Sequence, residues 1–259
     1  MLYWFFKVMV VGPVVRLLWR PWVTGLENIP DTGPAILASN HLSVSDSVFL
    51  PLACPRRITF IAKIEYFTGR GLKGWLIRSF LTGVGQVPVD RSSGRAAQPA
   101  LEAQKRVLGA GEVVGIYPEG TRSPDGRLYR GKTGVARVAL EMGVPVIPVA
   151  MVNTDTIQPI GRSVPKFRPR PGVRIGRPLD FSRYEGMAGD RFVERSMTDE
   201  IMYELMQLSG QEYVDSYAAK VKAELDRSAS GSLAARTAAQ DEARHGTADA
   251  DRLSSEKAS

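Results

Sequence analysis

Ala35-Ile36-Leu37-Ala38-Ser39-Asn40-His41-Leu42-Ser43-Val44-Ser45-Asp46 sets a short apolar run directly against a polar turn. The run is too brief for a helix and reads as a buried strand, which makes the polar residues after it a strand-end loop. The same unit recurs, with candidate strands at Ile58 to Ala62, Val84 to Val89, Val113 to Tyr117, Val146 to Val152 and Val173 to Gly176. Amphipathic stretches separate them and predict helices at Ser45 to Leu52, Gly71 to Leu81, Ala96 to Leu108 and Gly134 to Met142, the last stopped by Gly143 and Pro145. This alternation predicts an α/β fold: a single domain with a central, mostly parallel or mixed sheet flanked by helices.

Outward from this body, residues 190–226 carry Phe192, Met197, Ile201, Leu205 and Leu208 at near-helical spacing, broken at Ser209-Gly210, and read as packing helices. Residues 227–259 hold hardly any large apolar side chain and read as a disordered tail. At the other end, residues 1–25 hold three of the four tryptophans (Trp4, Trp19, Trp22) among Leu, Val and Phe, with Lys7, Arg16 and Arg20 as the only charges before Trp22. Lys7 and Pro13 interrupt the apolar stretch before it reaches the roughly 20 residues of a spanning helix. An in-plane membrane-interface helix or helical hairpin arm suits indoles and long basic side chains, against a core helix or a short span as alternatives. The body of the chain, the α/β domain, is then residues 26–226.

Composition narrows the chemistry. Among 259 residues there is one cysteine, Cys54, and there are two histidines, His41 and His245, so no internal disulfide and no zinc-ligand spacing is available. The formal charge is +7, and the tail, with five basic and five acidic residues, contributes none of it. A basic body draws anions: nucleic acid, an anionic bilayer or a phosphorylated small substrate. The aromatic residues gather at the N-terminus rather than on a stacking platform, which argues against nucleic acid.

His41 and Asp46 are the sharpest pair. Five residues on one regular helix is 500°, about 140° off the same face, so they meet only if His41 sits in the loop and Asp46 in the first turn after it, where Ser43 or Ser45 can cap. A carboxylate placed there fixes the imidazole tautomer for general-base work. A second strand-end segment, Tyr117-Pro118-Glu119-Gly120-Thr121-Arg122-Ser123, supplies Arg122 as a fork for phosphate and Glu119 to orient a hydroxyl or hold Arg122. A third, Gly85 to Arg91, ends in Asp90-Arg91 and offers a further cation; a fourth, Val144-Pro145-Val146-Ile147-Pro148, reads structurally as a sheet edge or bulge. Gly126-Arg127-Leu128-Tyr129-Arg130-Gly131-Lys132-Thr133 also satisfies the phosphate-loop pattern, although the nearest strand ends at Tyr117.

These four blocks in this order resemble the 1-acylglycerol-3-phosphate acyltransferases and the wider glycerolipid acyltransferase family: Asn40 to Asp46, Gly85 to Arg91, Glu119 to Ser123 and Val144 to Pro148, with Ala62-Lys63 at the family's basic position between the first two. The resemblance covers about residues 20–185 and implies an enzyme that moves a fatty acyl group from an acyl thioester to the hydroxyl of 1-acylglycerol-3-phosphate, giving phosphatidic acid. It implies His41 as base with Asp46 orienting it, Arg91, Arg122, Lys63 and Lys132 on the substrate phosphate, and Asn40, Ser43, Glu119, Gly120 and Thr121 as motif support. No metal or cofactor is implied; acyl-coenzyme A or acyl carrier protein is the donor, lysophosphatidate and the phospholipid bilayer are the partners, and the cytoplasmic face of the cell membrane is the expected place, held peripherally or monotopically. Glycerol-3-phosphate or another lysophospholipid is the alternative acceptor, and a P-loop nucleotide hydrolase the alternative of another class.

Overall fold

Aliphatic and β-branched runs form the strands here, and their two-sided burial sorts the helices. In the computed structural model, which describes residues 2–83, 85–89, 97–162, 164–167, 169–228 and 230, the chain divides into two compact units, Met1–Ala218 and Ala219–Ser259. The second unit is helical over 219–228, and the predicted tail lies almost wholly outside the described residues.

The first unit carries β1 (Trp22–Thr24), β2 (Ala35–Ser39), β3 (Ile58–Lys63), β4 (Gln86–Val89), β5 (Val113–Ile116), β6 (Leu128–Tyr129), β7 (Val146–Val152), β8 (Gly172–Ile175) and β9 (Tyr213–Val214). Seven of them form one sheet in the order β1-β8-β7-β2-β5-β3-β4, while β6 and β9 make a separate parallel pair. The five from β7 to β4 run parallel, and β8 turns antiparallel to β7 with β1 alongside it, so the sheet is mixed but mostly parallel.

The helices are α1 (Leu2–Phe5), α2 (Gly12–Trp19), α3 (Asp46–Ala53), α4 (Gly71–Gly83), α5 (Ala97–Gly109), α6 (Gly134–Met142), α7 (Thr154–Ile157) and α8 (Arg191–Ser209). Alternate residues of β2 explain their placement: Ile36 and Ala38 join Leu108, Val135, Val138, Met197 and Ile201 in one core, whereas Ala35 and Leu37 join Val15, Phe49 and Leu50 in the other. One face of the sheet is thus closed by α5, α6 and α8 and the opposite face by α2 and α3, the arrangement that lets parallel strands be apolar throughout.

Three sequence expectations change. The predicted arm of residues 1–25 ends too late, because Trp22–Thr24 form the edge strand β1; three residues after Pro21 are too few to show a period. Between α1 and α2 the chain stays helical through a π turn, Phe6–Val11, so no hairpin forms. That wide turn stops just short of Pro13, whose ring would clash with the carbonyl four residues back in a regular α-helix. Lys7 is absorbed as well: its Nζ donates to the Cys54 carbonyl at the end of α3, and burial lowers its pKa to about 8. Finally, β7 lies inside the sheet, not at an edge. Pro148 is tolerated because it sits where the β7–β8 pairing is interrupted: its carbonyl accepts Gly176 N–H at 2.8 Å just past the end of β8, and antiparallel pairing resumes only at Val146 and Leu179, so the missing proline N–H breaks no ladder bond.

Candidate active site

Ala38 lies opposite Ile116 in the β2–β5 register, so the two motif loops leave neighbouring parallel strands at the same carboxyl edge. That edge is where α/β sheets hold ligands. His41 leaves β2 in an irregular loop and Asp46 opens α3, which is the one placement in which the two meet. His41 Nδ1 stands 2.9 Å from Asp46 Oδ2, and the same oxygen accepts the backbone N–H of Leu42 at 2.7 Å and of Ser43 at 2.8 Å. An acceptor-only oxygen facing Nδ1 requires the proton to be on Nδ1, which leaves the Nε2 lone pair to receive one.

Only one of the two expected serines accepts a backbone N–H of the turn: Ser43 Oγ takes that of Ser45 at 3.2 Å. Ser45 stands at the N-cap position without a side-chain cap bond, and its hydroxyl instead donates to Gln158 Oε1, while Ser43 Oγ donates to the Gln158 carbonyl at 2.9 Å. Asp46 holds the segment ahead of the helix as well, since its carboxylate takes the Leu42 and Ser43 N–H groups. Asn40 is wholly buried and locks the strand end: its Oδ1 accepts Met151 N–H at 2.7 Å, and its Nδ2 donates to the Met151 carbonyl and to Gln211 Oε1.

The imidazole has a stacked support. The rings of His41 and Tyr117 lie 3.9 Å apart and 10° from parallel, and Phe60 stacks behind Tyr117 at 5.1 Å. Gly115 makes room for this stack, because a Cβ there would fall 2.3 Å from the Phe60 ring. Tyr117 donates to or accepts from Ser47 Oγ at 3.0 Å, and burial, with the Asp46 charge adding to it, drives its pKa well above the ordinary value, so the phenol stays neutral.

Glu119 neither faces a substrate hydroxyl nor pairs with Arg122. It is 1% exposed, and its two oxygens accept the backbone N–H of His41 at 3.1 Å and of Tyr129 at 3.0 Å. Burial raises its pKa to about 7, against the lowering effect of those two bonds. Gly120 follows with φ of 73°, and a Cβ there would meet Lys132 Nζ at 3.0 Å, so the lysine arm lies across the glycine. Ser123 N–H donates to the His41 carbonyl at 2.8 Å, tying the second loop to the first and bringing Thr121 and Arg122, both half-buried, alongside. Arg122 and Lys132 make no side-chain ion pair or hydrogen bond among the described residues. Lys63 closes β3 opposite Val89, at the same sheet edge, while Arg91 lies outside the described residues.

The phosphate-loop pattern has a different local structure. Its Leu128-Tyr129 are wholly buried and form β6 against β9, so the backbone that would have to wrap a phosphate is spent on strand pairing. Among the described residues no three His, Cys, Asp or Glu side chains gather as a metal site. Sequence reasoning missed Gln158 and Gln211, which brace the histidine loop from 113 to 171 residues away and carry no spacing signal. Tyr117 was visible only as an aromatic ending an apolar run.

Known proteins resemble this chain in sequence and fold. The family model described as Acyltransferase matches residues 20–152, which include both loops and all of β7. The chain is 36% identical over 140 residues to a chloroplastic 1-acyl-sn-glycerol-3-phosphate acyltransferase, LPAT1, of Arabidopsis thaliana, covering 54% of this chain and 38% of that protein. It is 33% identical over 135 residues to the 1-acyl-sn-glycerol-3-phosphate acyltransferase of Borreliella burgdorferi, covering 51% of each. The matched stretch thus spans about half the length, or less, of these curated relatives. A crystal structure of the 1-acyl-sn-glycerophosphate acyltransferase PlsC from Thermotoga maritima superposes with a TM-score of 0.55 at 27% identity over 75% of both chains. With the family model spanning half the chain and the strand-end His41–Asp46 pair inside it, the chain belongs to the acyltransferase family.

Proposed function

We propose that the protein transfers a fatty acyl group from an acyl thioester to the free hydroxyl of 1-acylglycerol-3-phosphate, yielding phosphatidic acid. The observation that carries this reading is the buried Asp46 carboxylate holding His41 Nδ1 at 2.9 Å beside a half-buried Arg122 that has no protein partner among the described residues. His41 Nε2 takes the proton from the acceptor hydroxyl as its oxygen attacks the thioester carbonyl, and Asp46 steadies the imidazolium that forms. Collapse of the tetrahedral species expels a thiolate, a good leaving group because thiol pKa values lie near 8.5. Arg122 and Lys132, together with Lys63 and Arg91, hold the acceptor phosphate. Residues of this chain suffice for each of these steps without a metal or cofactor.

The substrate lipid resides in a bilayer, and the helix opened by α1 and closed by α2 is the proposed contact. Among the described residues no helix is long and apolar enough to cross a membrane. One side of this helix docks through buried Tyr3 and Val15, while Trp4, Phe5, Met9, Val14 and Leu17 stand exposed. Such a side lies in the interface rather than through it, which supports peripheral or monotopic attachment; the cytoplasmic face of the cell membrane is the proposed place.

The test is free-thiol release from palmitoyl-coenzyme A in the presence of lysophosphatidate, with glycerol-3-phosphate as a parallel acceptor, acyl carrier protein thioester as a parallel donor and His41→Ala as control. Release that requires both lysophosphatidate and His41 is the expected result. Release with glycerol-3-phosphate alone would reassign the acceptor, and release independent of His41 would overturn the mechanism.

A further inference from the structure

One stretch of the basic body has no counter-charge of its own. Residues 156–179 contain Arg162, Lys166, Arg168, Arg170, Arg174 and Arg177 and no acidic residue. Much of this segment is a loop between α7 and β8. Lys166 N–H donates to the Ile157 carbonyl at 2.8 Å and Arg162 N–H to the Pro159 carbonyl at 3.1 Å, so the loop closes on its own base as a compact Ω-type turn.

Its surface alternates cations with apolar side chains. Ile160, Val164 and Phe167 are exposed, the last two at 69% and 61%, and Arg162, Lys166 and Arg170 lie between and beside them with no carboxylate partner among the described residues. The loop also joins the N-terminal helix: Trp19 Nε1 donates to the Lys166 carbonyl at 2.7 Å, the Trp19 and Phe167 rings lie 5.6 Å apart, and Arg170 Nε donates to the Arg20 carbonyl at 2.7 Å. The exposed apolar side of α2, with Leu17 at 75%, therefore continues into a patch that is apolar and strongly basic at once.

We infer that the 158–171 loop is a second membrane-docking element, one that selects an anionic bilayer by seating Val164 and Phe167 at headgroup depth while Arg162, Lys166 and Arg170 meet lipid phosphates. The inference rests on the membrane reading of the N-terminal helix given above and adds lipid selection to it. Uncompensated cations on a protein surface favour a negatively charged partner, and exposed aliphatic and aromatic side chains interleaved with them favour a bilayer over an acidic protein. The base of the loop is Gln158, which holds Ser43 and Ser45 of the His41–Asp46 turn. Docking the tip thereby sets the histidine loop beside the leaflet from which the acceptor lipid arrives.

Sedimentation with phosphatidylcholine vesicles, and with vesicles in which about a third of the lipid is phosphatidylglycerol, separates the two elements. Wild-type protein is expected on both, more tightly on the anionic ones, with the preference lost in high salt. Met9→Ser with Leu17→Ser should weaken binding to both alike. Arg162→Gln with Lys166→Gln should leave binding to neutral vesicles unchanged and cut the anionic preference by roughly 25-fold, about fivefold per basic side chain; Val164→Ser should weaken both while retaining the preference. Thermal melting and His41-dependent thiol release in detergent micelles check that each variant is folded, and the salt titration of unaltered protein stands even if one is not. An unchanged, salt-insensitive preference in the double glutamine variant overturns the inference while leaving the N-terminal anchor standing. Wild-type protein that sediments with neither vesicle overturns the membrane reading itself. A double variant that keeps its anionic preference but loses turnover only with acyl carrier protein thioester assigns the patch to an acidic protein instead, and also overturns the inference.

Discussion

The loops after β2 and β5 leave the same edge of the same sheet, yet they are built on opposite terms. In the first, Asn40, His41, Ser43, Ser45 and Asp46 are each tied to the protein by at least one side-chain hydrogen bond. In the second, Glu119 spends both oxygens on backbone N–H groups, and the cations Arg122 and Lys132 are left without a described partner. A proton-transfer group needs a fixed tautomer and direction, so the protein supplies every contact except the one at Nε2. A phosphate-binding group needs an open fork, so the protein withholds the contacts that substrate will make.

The largest effect expected from this contrast lies at the fixed loop. His41→Ala should lower turnover about 10³-fold with circular dichroism unchanged, and Asp46→Asn about 10²-fold, because the amide can present Nδ2 to Nδ1 and favour the wrong tautomer. Steady-state thiol release measures both. Wild-type turnover in either variant would show that the 2.9 Å contact is structural and would break the comparison at its first term.

Next comes the carboxylate that joins the loops. The pKa of Glu119 is raised from an ordinary 4.5 to about 7 by burial, so folding binds its proton more tightly than the unfolded chain does. The stability this provides is fully present below about pH 4.5 and is lost as pH rises through about 7. The loss amounts to roughly 3 kcal/mol at 1.36 kcal/mol per pH unit. Urea unfolding at pH 5 and pH 7.5 should show it in wild-type protein, and Glu119→Gln should remove that part of the slope. A slope identical in the two proteins would mean that Glu119 is ionised in both states, and that the two loops are not joined by a neutral acid.

Such couplings explain what could and could not be read beforehand. The dyad was legible because His41 and Asp46 are five residues apart and only one local geometry brings them together. The parallel core was legible because β2, β5 and β7 are uninterrupted apolar runs, buried on both faces. Glu119 was misassigned because a carboxylate three residues before an arginine suggests a pair, whereas burial favours backbone donors that no sequence pattern displays. Gln158 and Gln211 were missed because their partners lie 113 to 171 residues away, and the three-residue β1 because it is too short to have a period.

At the open loop the effects should be smaller and of another kind. Arg122→Ala is expected to raise the KM for lysophosphatidate about 10- to 100-fold, the worth of a charge-assisted hydrogen bond, while kcat falls less. Its melting temperature should stay close to that of wild type, since no hydrogen bond or ion pair among the described residues is removed. An unchanged acceptor KM would place the phosphate elsewhere, with Lys63 and Arg91 the next positions to substitute.

The smallest effect separates charge from shape within the open loop. The Lys132 stem lies across Gly120, where an added Cβ would meet its Cε at 3.1 Å and its Nζ at 3.0 Å, so the residue both carries a charge and covers a left-handed turn. Lys132→Met keeps the stem and removes the charge, and for an exposed cation this should raise the acceptor KM only about two- to fivefold. Gly120→Ala should do more damage despite leaving the charge in place, because φ of 73° is costly for an alanine and the lysine arm must move. If Lys132→Met instead costs as much as Arg122→Ala, the lysine is a full phosphate ligand and the open loop holds its substrate with two equal cations. If it costs nothing while Gly120→Ala still impairs turnover, Lys132 serves the turn alone and Arg122 is the open fork of that loop.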